Sequence, residues 1–173
     1  YTIKDIEEKG FDPIVFRYLA LQAHYRAPLN FTWDSLEASR VALNKLRRII
    51  FIADTDNARV SDEDKDEINK IISDDLATPK LVAYVWENLN NENKEEAERI
   101  GLILYADEYL GLGLSKIGNV PDEITQLLET RNEARKNKDF QKSDEIRDQI
   151  KSEGFSILDN PDGTSSAYLS IWE

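Results

Sequence analysis

The residues best equipped for chemistry lie near the C-terminus, in a segment with helical spacing. With about 100° of rotation per residue, one aromatic and three charged residues of this segment fall within about 60° of one another. They are Phe140, Asp144, Arg147 and Lys151. A ring, a carboxylate and two cations on one face can stack on an unpaired base, bond to its edge and contact phosphate. The segment therefore suits the reading of single-stranded nucleic acid.

A second set of cations lies on the helix predicted just before it. Ile124, Leu127 and Leu128 form an apolar stripe, and Arg131 and Arg135 continue that stripe. Because the stripe faces the core, we expect both arginines to point to the place where the two helices meet.

A purely structural reading of these residues stays open at this point. Phe140 could staple the two helices together, and Asp144 could pair with Arg147 or be patterned with Asp148 along the helix.

The chain offers no recognisable set of catalytic residues. It contains no Cys and a single histidine, His24, which follows an apolar helix and is expected to be structural. The glycines near 111–118 lack the spacing of a phosphate-binding loop. The acidic run Asp62–Glu67 is interpreted as a solvated helix start rather than an acid–base pair.

Composition constrains the setting of the protein. No apolar run approaches the ~20 residues of a membrane span, and the acidic N-terminal segment is unlike a signal peptide. The absence of Cys fits a reducing compartment, so a cytoplasmic protein is expected. The chain has no Met, and Tyr1 is expected to be an internal residue of a longer protein.

Net charge argues against a nucleic-acid partner, but its distribution weakens the objection. The 173 residues carry a formal charge of −12, whereas nucleic-acid binders usually carry a basic patch. The acidic excess is concentrated in residues 54–98, and Lys and Arg are common in 14–50 and 131–151. RNA would be repelled by the middle of the chain and tolerated at the two ends.

The pattern of caps and apolar residues predicts a mainly α protein. Helix starts are expected at Asp12-Pro13 with a helix to Tyr25, near Thr32, at Ser61 and at Thr78-Pro79. A longer helix ends near Leu110, and a Gly- and Pro-containing linker follows. The predicted bundle core includes Leu43, Leu46, Val85, Trp86 and Leu104.

The segment after the linker is predicted to be a helix pair with a small β-hairpin. The helices are expected at 122–137 and 140–152. Two strands, at 155–158 and 164–169, should flank a turn at Asn160-Pro161-Asp162-Gly163. The predicted architecture is therefore a helical bundle followed by a small helix-pair and β-hairpin domain.

Several longer motifs resemble those of bacterial cysteinyl-tRNA synthetases, in order along nearly the whole chain. The motifs are Phe16-Arg17-Tyr18-Leu19, Ala23-His24-Tyr25-Arg26-Ala27-Pro28-Leu29-Asn30-Phe31, Asp74-Asp75-Leu76-Ala77-Thr78-Pro79-Lys80, Leu110-Gly111-Leu112, Arg131-Asn132-Glu133-Ala134-Arg135-Lys136, Lys138-Asp139-Phe140, Ser143-Asp144-Glu145-Ile146-Arg147-Asp148 and Asp159-Asn160-Pro161-Asp162-Gly163-Thr164. The His-Tyr-Arg block and the terminal blocks are the specific ones.

The resemblance implies a class I ligase that joins cysteine to its tRNA with ATP, using a zinc ion that selects the thiol. The ATP and zinc sites would lie in an N-terminal catalytic domain outside this chain. The family pattern implies a stem-contact segment at 1–30, a bundle of the anticodon-binding type at 31–115 and an anticodon-recognition domain at 119–173. Matching positions imply anticodon contacts at Arg135, Phe140, Asp144, Arg147 and Asp159.

The implied partners are cysteine tRNA and the catalytic domain, in a monomer with no membrane association. The chain departs from the family after Thr164, where Ser165-Ser166-Ala167-Tyr168 replaces the family's Trp and basic tail and leads to the acidic end Glu173. Two alternatives remain. One is a mycothiol-pathway cysteine ligase, which lacks the terminal domain of this family. The other is a helical protein-interaction module, which the acidic middle would fit.

Overall fold

The computed structural model describes residues 1–160 and 163–170. Contacts within the chain define two units. The first comprises Tyr1–Leu46 and Ala53–Lys116, and the second comprises Arg47–Ile52 and Ile117–Glu173. No helix in the described ranges combines the length and the apolar character needed to cross a membrane.

The first unit is helical. Its helices are α1 (Ile3–Glu8), α2 (Pro13–Leu21), α3 (Trp33–Ile52, of which Arg47–Ile52 belongs to the second unit), α4 (Asp62–Ser73), α5 (Thr78–Leu89) and α6 (Glu96–Leu110), followed by a short 3-10 helix (Leu114–Lys116). The Asp12 carboxylate accepts from the Ile14 N–H at 2.9 Å, so the predicted cap of α2 is present.

Two predicted helix boundaries are wrong. The helix expected to reach Tyr25 ends at Leu21. Tyr25 lies beyond the helix, where its hydroxyl donates to Asp75. Thr78 was predicted to cap α5 but lies inside the helix. The cap position is Ala77, which supplies no side-chain hydrogen bond.

The core of the first unit follows the helical period. Leu43, Leu46 and Val85 are buried as predicted, whereas Trp86 and Leu104 are only half-buried. The Trp86 indole needs a partner for its N–H, and it donates to the Tyr18 hydroxyl at 2.8 Å.

The C-terminal end of α6 is closed by side chains. Gly111 adopts left-handed backbone (φ 62°) directly after the helix, a conformation that glycine accepts without strain. The buried Asp107 carboxylate accepts from the N–H groups of Leu112 and Leu114, both at 2.7 Å. Arg17 of α2 donates to the Leu110 carbonyl at 2.6 Å, which joins the two ends of the unit.

The second unit contains the helix pair and the hairpin. Its elements are α7 (Asp122–Lys136), α8 (Phe140–Ser152), β1 (Phe155–Asp159) and β2 (Ser165–Leu169). The strands are antiparallel and pair Phe155 with Leu169 and Asp159 with Ser165. In the predicted turn, the Gly163 N–H donates to the Asn160 carbonyl at 3.0 Å, while Pro161 and Asp162 lie outside the described residues.

One apolar cluster holds this unit together. Its buried members are Phe51, Ile124, Leu128, Ile146, Ile150, Phe155, Ala167 and Tyr168. The rings of Phe51 and Phe155 stack with centroids 6.2 Å apart. The predicted fold class, a helical bundle plus a helix pair with a hairpin, is confirmed.

The first prediction concerns the bundle core. Leu43 has no exposed surface, whereas Val41 on the same helix is 55% exposed. We expect Leu43→Ala to lower the free energy of unfolding by about 2–5 kcal/mol, because it removes buried methyl groups and leaves a cavity. Val41→Ala should change it by less than about 0.5 kcal/mol. Urea titrations of both variants provide the measurement, and equal effects would contradict the packing described here.

Candidate nucleic-acid interface

The centre of the site is a buried arginine that reaches the hairpin. Arg131 of α7 is 1% exposed. Its Nη1 donates to Asp159 Oδ1 at 2.9 Å and to Ser165 Oγ at 2.6 Å. Arg135, one turn later, donates from Nη1 to the same Asp159 oxygen at 2.7 Å. Two arginines of one helix therefore converge on one carboxylate at the end of β1.

The predicted direction of these arginines is wrong. We expected them where the two helices meet, but both reach the hairpin. The buried residues of α8 are Ser143, Ile146 and Ile150, so that side of the unit offers no carboxylate. A buried guanidinium needs an anionic partner, and Asp159 supplies it.

The surrounding arginines set the charge state of Asp159. The hydrogen bond from Arg131 lowers the pKa of this carboxyl to about 2, with further help from Ser165 and from the charges of both arginines, against the opposing effect of burial. Asp159 is therefore ionised at neutral pH. Its Oδ1 accepts from Arg131, Arg135 and Ser165, whereas no described residue donates to Oδ2.

Asp159 Oδ2 is thus a charged acceptor available to a ligand. The Asp159 side chain is 47% exposed and that of Arg135 is 41% exposed. A carboxylate oxygen in this position can accept a hydrogen bond from the amino group of a base. Arg131, which the sequence analysis did not include among the site residues, holds this carboxylate from beneath.

The exposed face of α8 carries the other three expected site residues. Asp139 begins the helix by accepting from the Lys142 N–H at 3.1 Å, and Phe140 follows it with 65% of its surface exposed. Arg147 donates from Nη1 to Asp144 Oδ1 at 3.1 Å. The structure therefore pairs Asp144 with Arg147, and Arg135 with Asp159.

Phe140 belongs to neither pair. Its side chain makes no ring contact, hydrogen bond or ion pair with the described part of the chain. The alternative in which Phe140 staples the helix pair does not fit a ring this exposed. An exposed aromatic beside a carboxylate–guanidinium pair can accept a stacked base.

The first unit contains a second polar cluster, built from the His-Tyr-Arg block. His24 Nε2 lies 3.1 Å from the Asp75 carbonyl oxygen. The Tyr25 hydroxyl donates to Asp75 Oδ1 at 2.7 Å, and Arg26 Nη2 donates to the same oxygen at 3.0 Å. Asp75 and Leu76 both have positive φ, 53° and 52°. The block therefore holds a backbone conformation that is costly for residues other than glycine.

An apolar cleft of about 420 Å³ lies beside this cluster. Its lining includes Leu21, His24, Leu29 and Leu76, and Leu76 is 55% exposed. His24 binds the Asp75 loop at the rim of this cleft.

The acidic run at the start of α4 differs from its predicted role in one residue. Asp64 is 2% exposed rather than solvated. Ser61 and Tyr84 donate to it at 2.6 and 2.7 Å, and Lys94 forms an ion pair with it. Burial raises the pKa of Asp64, but these three hydrogen bonds outweigh burial, so the pKa is lowered overall. Asp64 therefore joins α4, α5 and the segment before α6.

Comparisons with known proteins identify the second unit. Residues 118–165 match the family model described as the cysteinyl-tRNA ligase anticodon binding domain. Among the described residues, no group of three or more His, Cys, Asp or Glu side chains could hold a metal ion.

Three curated relatives match along almost the whole chain. Cysteine–tRNA ligase 1 of Burkholderia lata is 35% identical over 165 residues, which cover 93% of this chain and 35% of that protein. The ligase of Borrelia turicatae is 33% identical over 189 residues, covering 94% and 39%. That of Hydrogenovibrio crunogenus is 30% identical over 178 residues, covering 95% and 39%.

The resemblance identified in the sequence is confirmed. The chain is related to cysteine–tRNA ligases along nearly its whole length and contains their anticodon-binding domain, and it spans little more than a third of these relatives.

The second prediction concerns the carboxylate at the end of β1. We expect Asp159→Asn to lower the free energy of unfolding at pH 7 by about 1–3 kcal/mol, because buried Arg131 loses its anionic partner. The range extends down to about 1 kcal/mol because solvent screens the interaction of Arg131 with a half-exposed carboxylate. Asp144→Asn, at a site 66% exposed, should have a smaller effect.

The pH dependence provides an independent check of this pair. The folded pKa of Asp159, about 2, lies below the unfolded value of about 3.9. Its contribution is therefore complete above about pH 4 and is lost as the pH falls through 2. Urea titrations between pH 7 and 2 should show a smaller acid loss in Asp159→Asn than in the parent. The same acid loss in both would contradict the ion pair.

Proposed function

We propose that the chain is the tRNA-reading part of a cysteine–tRNA ligase and that its second unit binds the anticodon of cysteine tRNA. The single observation that carries the proposal is the 65% exposed Phe140 on the same helix face as Asp144 and Arg147. The proposed contact residues are Arg135, Phe140, Asp144, Arg147 and Asp159.

In this proposal Phe140 is a stacking platform. An anticodon base displaced from its neighbours has two open faces, and an exposed ring can cover one of them. Phe140 needs no rearrangement for this purpose, because 65% of its surface is already exposed. Stacking on one base contributes about 1–3 kcal/mol. Together with contacts to base edges, this is sufficient to discriminate between anticodons.

The two ion pairs supply those contacts. Arg147 uses one guanidinium nitrogen for Asp144, so further donors remain for phosphate or for base acceptors. Asp159 Oδ2 can accept from an exocyclic amino group, while Oδ1 stays bound to both arginines. Arg131 keeps the carboxylate ionised and fixed without touching the RNA.

The first unit is proposed to contact the rest of the tRNA, with residues 1–30 against the stem and the bundle toward the inner side of the L. We infer that the parent protein attaches cysteine to this tRNA, and that ATP and zinc bind in a catalytic domain outside this chain. That domain is the proposed protein partner, in a cytoplasmic monomer. An interaction module without an RNA role is the second candidate, favoured by the acidic residues 54–98.

The third prediction tests the stacking platform. We expect Phe140→Ala to abolish the preference for cysteine tRNA over the same tRNA with a changed anticodon, because the base loses its platform. The melting temperature should stay the same, since the ring is exposed. Arg135→Ala should also remove the preference, because the guanidinium that lies beside Asp159 is lost.

The matched control is Leu158→Ala, which removes an exposed apolar side chain of the same unit, 44% accessible. It should leave the preference intact. Filter-binding affinities and thermal melts on the same preparations distinguish a base-stacking role of Phe140 from a purely structural one. If Phe140→Ala melts early and still discriminates anticodons, the proposed face is wrong.

The fourth prediction concerns catalysis. The chain has no Cys and one His, and the ligase chemistry is assigned to the rest of the parent protein. We expect the pure 173-residue chain to show no cysteine-dependent exchange of pyrophosphate into ATP, at any zinc concentration. Exchange above the level of a no-protein control would refute the assignment of the chain to the tRNA-reading part.

A further inference from the structure

A groove of about 180 Å³ runs along the C-terminal half of α8. It is lined by Arg147 and Lys151 of the helix and by Phe155, Ser156 and Ile157 of β1. Phe155 is buried and forms an apolar floor, while Ser156 and Ile157 are half-buried. Two cationic residues therefore line one concave site.

The charges of this groove are incompletely compensated. Among the described residues, the Arg147 side chain donates one hydrogen bond, to Asp144. The Lys151 ammonium makes no hydrogen bond or ion pair with any residue of the described ranges. Asp148 is an exposed neighbour on α8, but it forms no ion pair with either cation within those ranges. The groove therefore keeps a cation available for an external anion.

The position of the groove relates it to the stacking platform. Phe140 and Lys151 lie on one side of α8, eleven residues and about 16 Å of helix apart. A stacked strand advances about 3.4 Å per nucleotide. A strand that follows this face from Phe140 would thus bring a phosphate to Lys151 within about five nucleotides.

We propose that this groove binds a backbone phosphate of the RNA strand whose base stacks on Phe140. The Lys151 ammonium and the free donors of Arg147 contact the phosphate oxygens. The inference rests on the proposed reading of the anticodon. It adds a contact that is insensitive to sequence, because phosphates position a strand but do not identify its bases.

This division of roles gives the proposal a distinct signature. Removing the Lys151 charge should lower the affinity for RNA with the cognate anticodon and for RNA with a changed anticodon by the same factor. The ratio of the two affinities should therefore stay unchanged. The slope of log affinity against log salt concentration should fall by about 0.7–1, as expected for one lost phosphate contact. Phe140→Ala, by contrast, changes the ratio.

The chain offers a matched control on the same helix. Lys142 is exposed and lies nine residues from Lys151, which places it on the opposite side of α8 at about 100° per residue. Lys142→Gln and Lys151→Gln remove the same charge from opposite faces. Neither side chain is buried, so both variants of the full 173-residue chain should fold.

The experiment measures binding of an anticodon stem-loop RNA of cysteine tRNA across a salt series. A second series replaces one phosphate at a time by an uncharged methylphosphonate. We expect one phosphate position at which this replacement weakens RNA binding by the parent chain but not by the Lys151→Gln variant. Lys151→Arg should restore the salt slope of the parent.

The outcomes separate the two proposals. If the parent prefers the cognate anticodon but Lys151→Gln has the same salt slope as Lys142→Gln, the phosphate site is overturned and the proposed function stands. If no methylphosphonate position depends on Lys151, the phosphate site is likewise overturned. A parent without anticodon preference overturns the proposed function and the phosphate site together.

Discussion

The second unit depends on the burial of one guanidinium. Arg131 is enclosed by the unit, and its charge is stabilised by Asp159 and Ser165. These two residues are register partners at the end of the hairpin next to the turn. A slip of one residue would turn their side chains to the opposite face and leave Arg131 without its anion. The ion pair therefore fixes the register of the hairpin as well as its position against α7.

The same carboxylate links the interior to the surface. Asp159 Oδ1 is shared by buried Arg131 and half-exposed Arg135. The buried Arg131–Asp159 pair therefore fixes the orientation of the more exposed Arg135–Asp159 pair. Phe140 has no such ion pair beneath it in the described part of the chain, and it directly follows Asp139, which caps the start of α8. The proposed interface thus combines a rigid charged part with an aromatic ring that can adapt to a base.

The sequence predicted those parts of the structure that depend on local periodicity. The face shared by Phe140, Asp144 and Arg147 follows from helical spacing, and the cap at Asp12 follows from its preference for that position. The partner of Arg131 could not be predicted in this way, because Asp159 lies 28 residues away on a strand. Asp64 was missed for a similar reason, since its burial depends on Tyr84 and Lys94 of other segments. The early end of α2 was missed for the same reason, since Tyr25, which the apolar pattern placed in the helix, binds Asp75 of a distant segment.

The contact between the His-Tyr-Arg block and Asp75 joins two short motifs that are 50 residues apart. Left-handed backbone costs on the order of 1–2 kcal/mol for each residue that is not glycine, and Asp75 and Leu76 adopt it in succession. The hydrogen bonds from Tyr25 and Arg26 offset part of that cost. A substitution at Tyr25 or Arg26 therefore leaves the strained backbone of the distant loop uncompensated. Such a substitution favours a second one in that loop, such as a glycine in place of Asp75, so the two motifs are expected to vary together in evolution.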